Sequence, residues 1–244
     1  MEDREEFERR VGTTLRGKWT LEKLLGVGGM AAVYVGRHGI GRRDAIKILH
    51  AEFAKDKDLR HRFEREAQAA NRFKHPGAVE ILDMDIADDG APFLVMELLE
   101  GESLAARAER GAMPVDEVLR LVDELLDVLA AAHAQGIVHR DIKPDNLFIE
   151  GSGRLKVLDF GIARMRQGAV SSLYTKAGAL LGTLSYMPPE QILGEAIDAR
   201  ADLFAVGATM FRLLARRRLH EAASQTDMVV KMATMASPKL GDVA

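Results

Sequence analysis

The spacing of apolar residues changes once along this chain, near Glu100, and that change constrains the fold more than any other feature. Before it, short apolar runs at 21–25, 32–35 and 44–49 are separated by Gly26, Gly28, Gly29, Gly36, Gly39 and Gly41, as expected for strands joined by tight turns. After it, Val118, Leu121, Val122, Leu125, Leu129 and Ala132 recur on one helical face, opened by Pro114 and closed by Gly136. One helix interrupts the first part: turning about 100° per residue from Lys57 to Phe73 puts Phe63, Ala67, Ala70 and Phe73 on one side. Glu66 lies at the edge of that face and can point inward. His75-Pro76-Gly77 stops this helix, and strand-like runs at 78–85 and 92–98 flank an Asp88-Asp89-Gly90 turn. Short runs at 147–149 and 155–158 and helices near 202–214 and 224–235 complete the chain. The pattern predicts an α+β architecture, with a small β-rich lobe carrying one helix and a larger, mainly α lobe. The expected divisions are a charged arm at 1–18, frayed over Glu2 to Arg10, a first lobe at 19–97 and a second at 98–244.

Composition narrows the function. With no cysteine among 244 residues, disulfides, thiolate catalysis and Cys-based zinc sites are excluded. A net charge of −3 supplies no concentrated positive surface, so nucleic acid is not an expected partner. The longest uncharged run, Ala177 to Pro189, is broken by Gly178, Gly182, Pro188 and Pro189, so no membrane segment is expected. The charged start lacks the apolar centre of a secretory signal, and a cytoplasmic chain is expected.

Four segments carry chemistry. Leu25-Gly26-Val27-Gly28-Gly29-Met30-Ala31-Ala32-Val33 lies between two strands. Glycines there let backbone N–H groups close over an anion, although a plain hairpin turn needs the same residues. A strand follows instead of a helix, which argues against a dinucleotide fold. Lys47, in the apolar strand Ala45-Ile46-Lys47, is either a snorkelling surface lysine or an inward cation that needs an anion, for which Glu66 is the candidate. His139-Arg140-Asp141-Ile142-Lys143-Pro144-Asp145-Asn146 is more specific, because it concentrates an acid, a cation and an amide just beyond the long helix. An Asp there can take a hydroxyl proton, a Lys can neutralise a phosphate, and an Asn oxygen can ligate a hard cation. Asp159-Phe160-Gly161 ends the apolar run at 155–158, and its carboxylate with Asn146 supplies oxygen ligands suited to Mg²⁺.

Taken in order with Gly182-Thr183 and Pro188-Pro189-Glu190, these segments resemble the protein kinases, and the wording around Gly28 and Asp141 looks most like the bacterial, eukaryotic-like Ser/Thr kinases. The resemblance runs from about Trp19 onward and implies a bilobal protein-kinase-like fold and a non-specific serine/threonine protein kinase in signal transduction. It implies ATP with Mg²⁺, or Mn²⁺ in its place, as cofactors and proteins as substrates. Lys47 would hold the α- and β-phosphates and pair with Glu66, Asn146 and Asp159 would hold the metal, Asp141 would orient the substrate hydroxyl, and Lys143 would steady the γ-phosphate. Leu25, Gly26, Gly28, Val33, Ala45 and Leu147 would enclose the nucleotide, with Met96 as gatekeeper and the backbones of Glu97 and Leu99 as hinge. Arg140 would pair with a phosphate placed on Thr175, Ser171 or Ser172 by autophosphorylation within a transient homodimer, while Tyr174 is a further acceptor in that segment and Thr183 a structural residue.

The sequence departs from the family at Ala31, where a third glycine is usual, and at Pro188, where Ala is usual. The family's last helices are also missing, and with them the Arg that pairs with Glu190, so the reading is of a kinase domain shortened at its C-terminal end. Two rival readings are a pseudokinase acting as a scaffold and a small-molecule phosphotransferase. The first predicts a lost Lys, Asp or Asn, and the second predicts loss of the Gly182 to Glu190 segment. Arg216-Arg217-Arg218 reads as a solvated helix end, His133 as a satisfied boundary histidine, and Met228, Met232 and Met235 as helix packing.

Overall fold

The structure, a computed structural model, describes residues 2–56, 60–61, 63, 67, 71–160, 184–222, 224–235 and 237–242, and it divides into two compact units. The first comprises residues 1–74 and 79–100, the second residues 75–78 and 101–244.

The first unit is built on β1 (Thr14–Leu15), β2 (Trp19–Val27), β3 (Ala31–His38), β4 (Arg43–Leu49), β5 (Ile81–Ile86) and β6 (Pro92–Glu97). They form an antiparallel sheet in the order β1-β2-β3-β4-β6-β5. Directly opposed residues share a face, so Tyr34, Ile46 and Val95 form one row and Ala32, Ile48 and Phe93 another. These six pack with Trp19, Leu21 and Leu24 into a buried cluster. Ile46 and Tyr34 are completely buried, which for an isoleucine contributes about 2–3 kcal/mol. Trp19 Nε1 donates to Asp44 Oδ2 at 3.1 Å, so the buried carboxylate has a donor as well as its ion pair with Arg42. After β4 come a short helix, α2 (Ala51–Ala54), and further described helical residues between 60 and 72, with Phe63 and Ala67 buried as the periodicity predicts.

The charged start is helical where an irregular arm was expected. Glu2–Glu8 is a helix, α1, that packs on the buried cluster through Phe7, the single apolar side chain between residues 2 and 10. Tyr34 Oη donates to Phe7 O at 3.0 Å, and Arg10 forms an ion pair with Asp89. An aromatic anchor, a buried hydroxyl and an adjoining ion pair dock a helix whose charge pattern alone suggested a solvated arm.

The second unit contains β7 (Gly101–Ser103), α3 (Leu104–Glu109), α4 (Val115–His133), β8 (Leu147–Glu150), β9 (Leu155–Val157), α5 (Pro189–Leu193), α6 (Arg200–Ala215) and α7 (Gln225–Thr234). Helix α4 buries Val118, Leu121, Leu125, Val128, Leu129 and Ala132, so Val128 is buried while the expected Val122 is only half-buried. Strands β7, β8 and β9 form a small antiparallel sheet, and Val157 N donates to Gly77 O at 2.7 Å. Ser224 caps α7 by accepting from Asp227 N at 3.1 Å. Met228 and Met232 pack against Leu184, but Met235 lies past the helix end and is 56% exposed, so it does not join that packing. Among the described residues no helix is long and apolar enough to cross a membrane.

Candidate active site

The catalytic-loop candidates belong to the second unit, where polar bonds position them. Lys143 Nζ donates to both Asp141 carboxylate oxygens, at 3.1 and 3.0 Å. Asn146 Nδ2 donates to Asp141 O at 2.7 Å and to Asp141 Oδ2 at 3.0 Å. The Asp141 and Lys143 side chains are only 13% and 9% exposed, so this pairing is shielded from bulk water. A one-turn 3₁₀ helix, Pro144–Asn146, carries the chain from Lys143 to Asn146, and Asn146 O then accepts from Leu158 N at 2.9 Å. That bond places the start of the Asp159-Phe160 segment beside Asn146.

His139 connects the same two segments from below. Its Nε2 is 2.8 Å from Leu158 O, so that nitrogen carries the proton and donates, while Nδ1 accepts from Asp141 N at 3.3 Å. Its ring packs edge-on against Phe160, with centroids 4.7 Å apart. Arg140 and Asp159 both have left-handed backbone, with φ of 68° and 60°. Non-glycine residues hold such angles at a cost of order 1–3 kcal/mol, and at Arg140 bonds on either side enforce the angle.

The residue that enforces Arg140 was missed in the sequence. Asp202, in the first turn of α6, is completely buried and accepts from His139 N at 2.8 Å, from Arg140 N at 2.7 Å and from His133 Nε2 at 2.7 Å. Gln191 Nε2 adds a bond to Arg140 O at 2.8 Å. The available signal was an acid on the apolar face defined by Ala201, Ala205 and Val206, where a carboxylate can sit only if it is multiply bonded.

In the first unit, register does the positioning. Lys47 lies opposite Val33 and Leu94, and Ala45 opposite Val35 and Met96, so Val33, Ala45, Lys47 and Met96 share the sheet face opposite the Ile46 cluster. Ala45 and Met96 are buried, and Lys47 is half-buried. A register shift between Leu24 and Gly26 keeps Leu24 in the core, brings Gly26 opposite Val33 and leaves Leu25 45% exposed. The glycine hairpin closes with Gly28 N donating to Ala31 O at 2.8 Å, and Ala31 is buried at the third-glycine position. Glu97 N donates to Glu80 O at 3.0 Å, and Leu99 is half-buried. Leu147, opposite Val157 in the second unit, is buried. Glu66, Gly161, Ser171, Ser172, Tyr174, Thr175, Gly182 and Thr183 lie outside the described residues.

Among the described residues no three His, Cys, Asp or Glu side chains cluster as a metal site. Mg²⁺ does not need such a cluster, because it is commonly held by one or two protein oxygens plus phosphate and water. Asn146 and Asp159 offer hard oxygens of that kind.

The family model of the protein kinase domain matches residues 19–240. The chain belongs to the protein kinase family. Among curated relatives it is 44% identical over 206 residues to serine/threonine-protein kinase Pkn1 of Myxococcus xanthus, covering 82% of this chain and 29% of that one. It is 35% identical over 230 residues to serine/threonine-protein kinase PrkC of Bacillus subtilis, covering 93% and 35% respectively. The chain therefore spans roughly a third of the length of these relatives. Among solved structures, the PknI kinase domain of Mycobacterium tuberculosis superposes with a TM-score of 0.74 at 28% identity, over 96% of this chain and 83% of that one. The α+β protein-kinase fold expected from the motifs is thus the fold of this kinase-family chain.

Proposed function

We propose that this chain is an ATP-dependent serine/threonine protein kinase. The observation that carries the reading is the Asp141 carboxylate, held by Lys143 and Asn146 on a loop whose backbone is anchored to the buried Asp202. In the proposed reaction Asp141 orients a substrate Ser or Thr hydroxyl and accepts its proton as the oxygen bonds to the γ-phosphorus. The bond from that phosphorus to the β,γ-bridging oxygen breaks, and ADP leaves with the electron pair. Lys143 neutralises the transferring phosphoryl group, and Lys47 serves the α- and β-phosphates from the sheet face it shares with Val33, Ala45 and Met96. Asn146 and Asp159 would hold Mg²⁺ through their side-chain oxygens, and the ion would offset phosphate charge when bound. Catalysis of this kind is mostly positioning, which fits a site defined by many short bonds.

Autophosphorylation in trans at Thr175, Ser171 or Ser172, with Arg140 receiving the new phosphate, is the proposed regulation. Proteins are the proposed substrates and the cytoplasm the proposed location. The test is incubation of the purified chain with γ-labelled ATP and Mg²⁺, alone and with a general protein substrate. Label on Ser and Thr that disappears in Asp141→Asn supports the reading. Equal labelling by that variant removes Asp141 from the mechanism.

A further inference from the structure

A second set of contacts in the first unit connects the N-terminal helix to the glycine hairpin. Gly29 and Met30 form the tip of that hairpin, and the Met30 carbonyl accepts from His50 N at 2.8 Å. His50 immediately precedes the short helix Ala51–Ala54, and its ring stacks with two phenylalanines. Phe7 of α1 stacks on it with centroids 4.6 Å apart and planes inclined by 29°, and Phe53 stacks with centroids 6.2 Å apart. Phe7 is in turn fixed by its contact with the buried cluster and by the bond from Tyr34 Oη to its carbonyl. Burial pushes the Tyr34 pKa up, against a smaller opposing effect of Arg10, so the hydroxyl stays protonated as the donor this bond requires.

A hairpin tip rich in glycine loses much conformational freedom when it closes over an anion. A bond that already holds the tip reduces the freedom left to lose on binding. We propose that α1 is a strap in which Phe7 and Tyr34 act as positioning residues, holding His50 and through it the hairpin at Met30, so that residues 2–10 set the affinity for nucleotide. This rests on the hairpin being the nucleotide loop of the kinase reading above.

The test uses the full chain and two measurements, amide hydrogen exchange without nucleotide and steady-state kinetics with ATP. In Phe7→Ala, exchange at the His50 and Gly28 amides should rise about tenfold while the Phe93 to Val95 amides keep their protection. The KM for ATP should rise several-fold with kcat nearly unchanged. Phe7→Tyr, which keeps the ring, should restore both. Leu15→Ala, taken from the same buried cluster, should lower Tm without selectively loosening His50 or Gly28.

Unchanged protection at His50 and Gly28 in Phe7→Ala, or exchange raised evenly across the sheet, would overturn the strap. Loosened amides with an unchanged KM would overturn its link to nucleotide affinity. If Phe7→Ala does not fold, Tyr34→Phe removes only the bond to the Phe7 carbonyl and decides by the same measurements. The exchange arm needs no ATP, so a wild-type chain that fails to use ATP refutes the kinase reading separately from the strap.

Discussion

The sheet of the first unit and the catalytic loop of the second hold their functional side chains by different means. On the sheet, Val33, Ala45, Lys47 and Met96 share a face because antiparallel register allows no other arrangement once Tyr34, Ile46 and Val95 take the side packed with Trp19 and Leu21. In the loop no ladder operates. Asp141, Lys143 and Asn146 are placed by hydrogen bonds among themselves, and the backbone before them is fixed by one buried carboxylate, Asp202. A sheet distributes its specification over many interchangeable apolar contacts, whereas the loop concentrates it in a few polar groups that have no substitute. Damage should therefore be graded in the sheet and abrupt in the loop.

The largest effect is expected at the centre of the loop. Asp141→Asn keeps the shape and a bond to Lys143 is weakened rather than replaced by a clash, so Tm should stay near the wild-type value while phosphotransfer falls by about 10³-fold. Rate measurement with a parallel melting curve separates the two. A loss of rate accompanied by unfolding would show that the carboxylate is structural and blur the contrast with the sheet.

Next comes Asp202→Ala, which strands the N–H groups of His139 and Arg140 in a buried site. The expected cost is about 3 kcal/mol in chemical denaturation, together with lower activity, because Arg140 loses the bond that enforces its left-handed backbone. A variant that kept full activity would mean that the loop is not anchored there.

In the sheet, Ile46→Val removes one methylene from a completely buried side chain and should cost about 1 kcal/mol, with kcat unchanged. If this mild change abolished activity as Asp202→Ala does, the proposed difference between graded and abrupt regions would collapse.

The smallest effect concerns pH. His220 is 7% exposed, and burial, followed by the charge of Lys231, holds its pKa below the ordinary 6.5. The unfolded chain therefore takes up this proton more readily than the folded one. Its contribution to stability is fully present above pH 6.5 and is lost as pH falls through 6.5 toward the lowered folded value. Tm compared at about pH 7.5 and about pH 5.5 should drop less in His220→Leu than in the wild type. An equal drop in both would assign the acid sensitivity to other groups.

Particular residues show how far the sequence could be read. The amphipathic helix at 115–133, the strand carrying Lys47 and the loop around Asp141 were legible because periodicity and local motif chemistry act over a few neighbouring positions. The docking of α1 was not legible, since a single Phe7 among charges gives no period, and its value depends on the Tyr34 hydroxyl and the His50 ring, which are distant in sequence. Met235 was misplaced for a related reason: helical spacing continued through it, but the helix ended at Thr234.

The sequence by itself determined which chemistry is available and in what order: a glycine hairpin, a lysine in an apolar strand, and an acid, cation and amide in one short loop, all set by local side-chain type and spacing. Only the tertiary structure decided that Asp202, some sixty residues further on, anchors that loop and that α1 reaches the hairpin through His50. Burial and hydrogen bonding between distant segments depend on how the chain packs, and linear spacing carries no record of that distance.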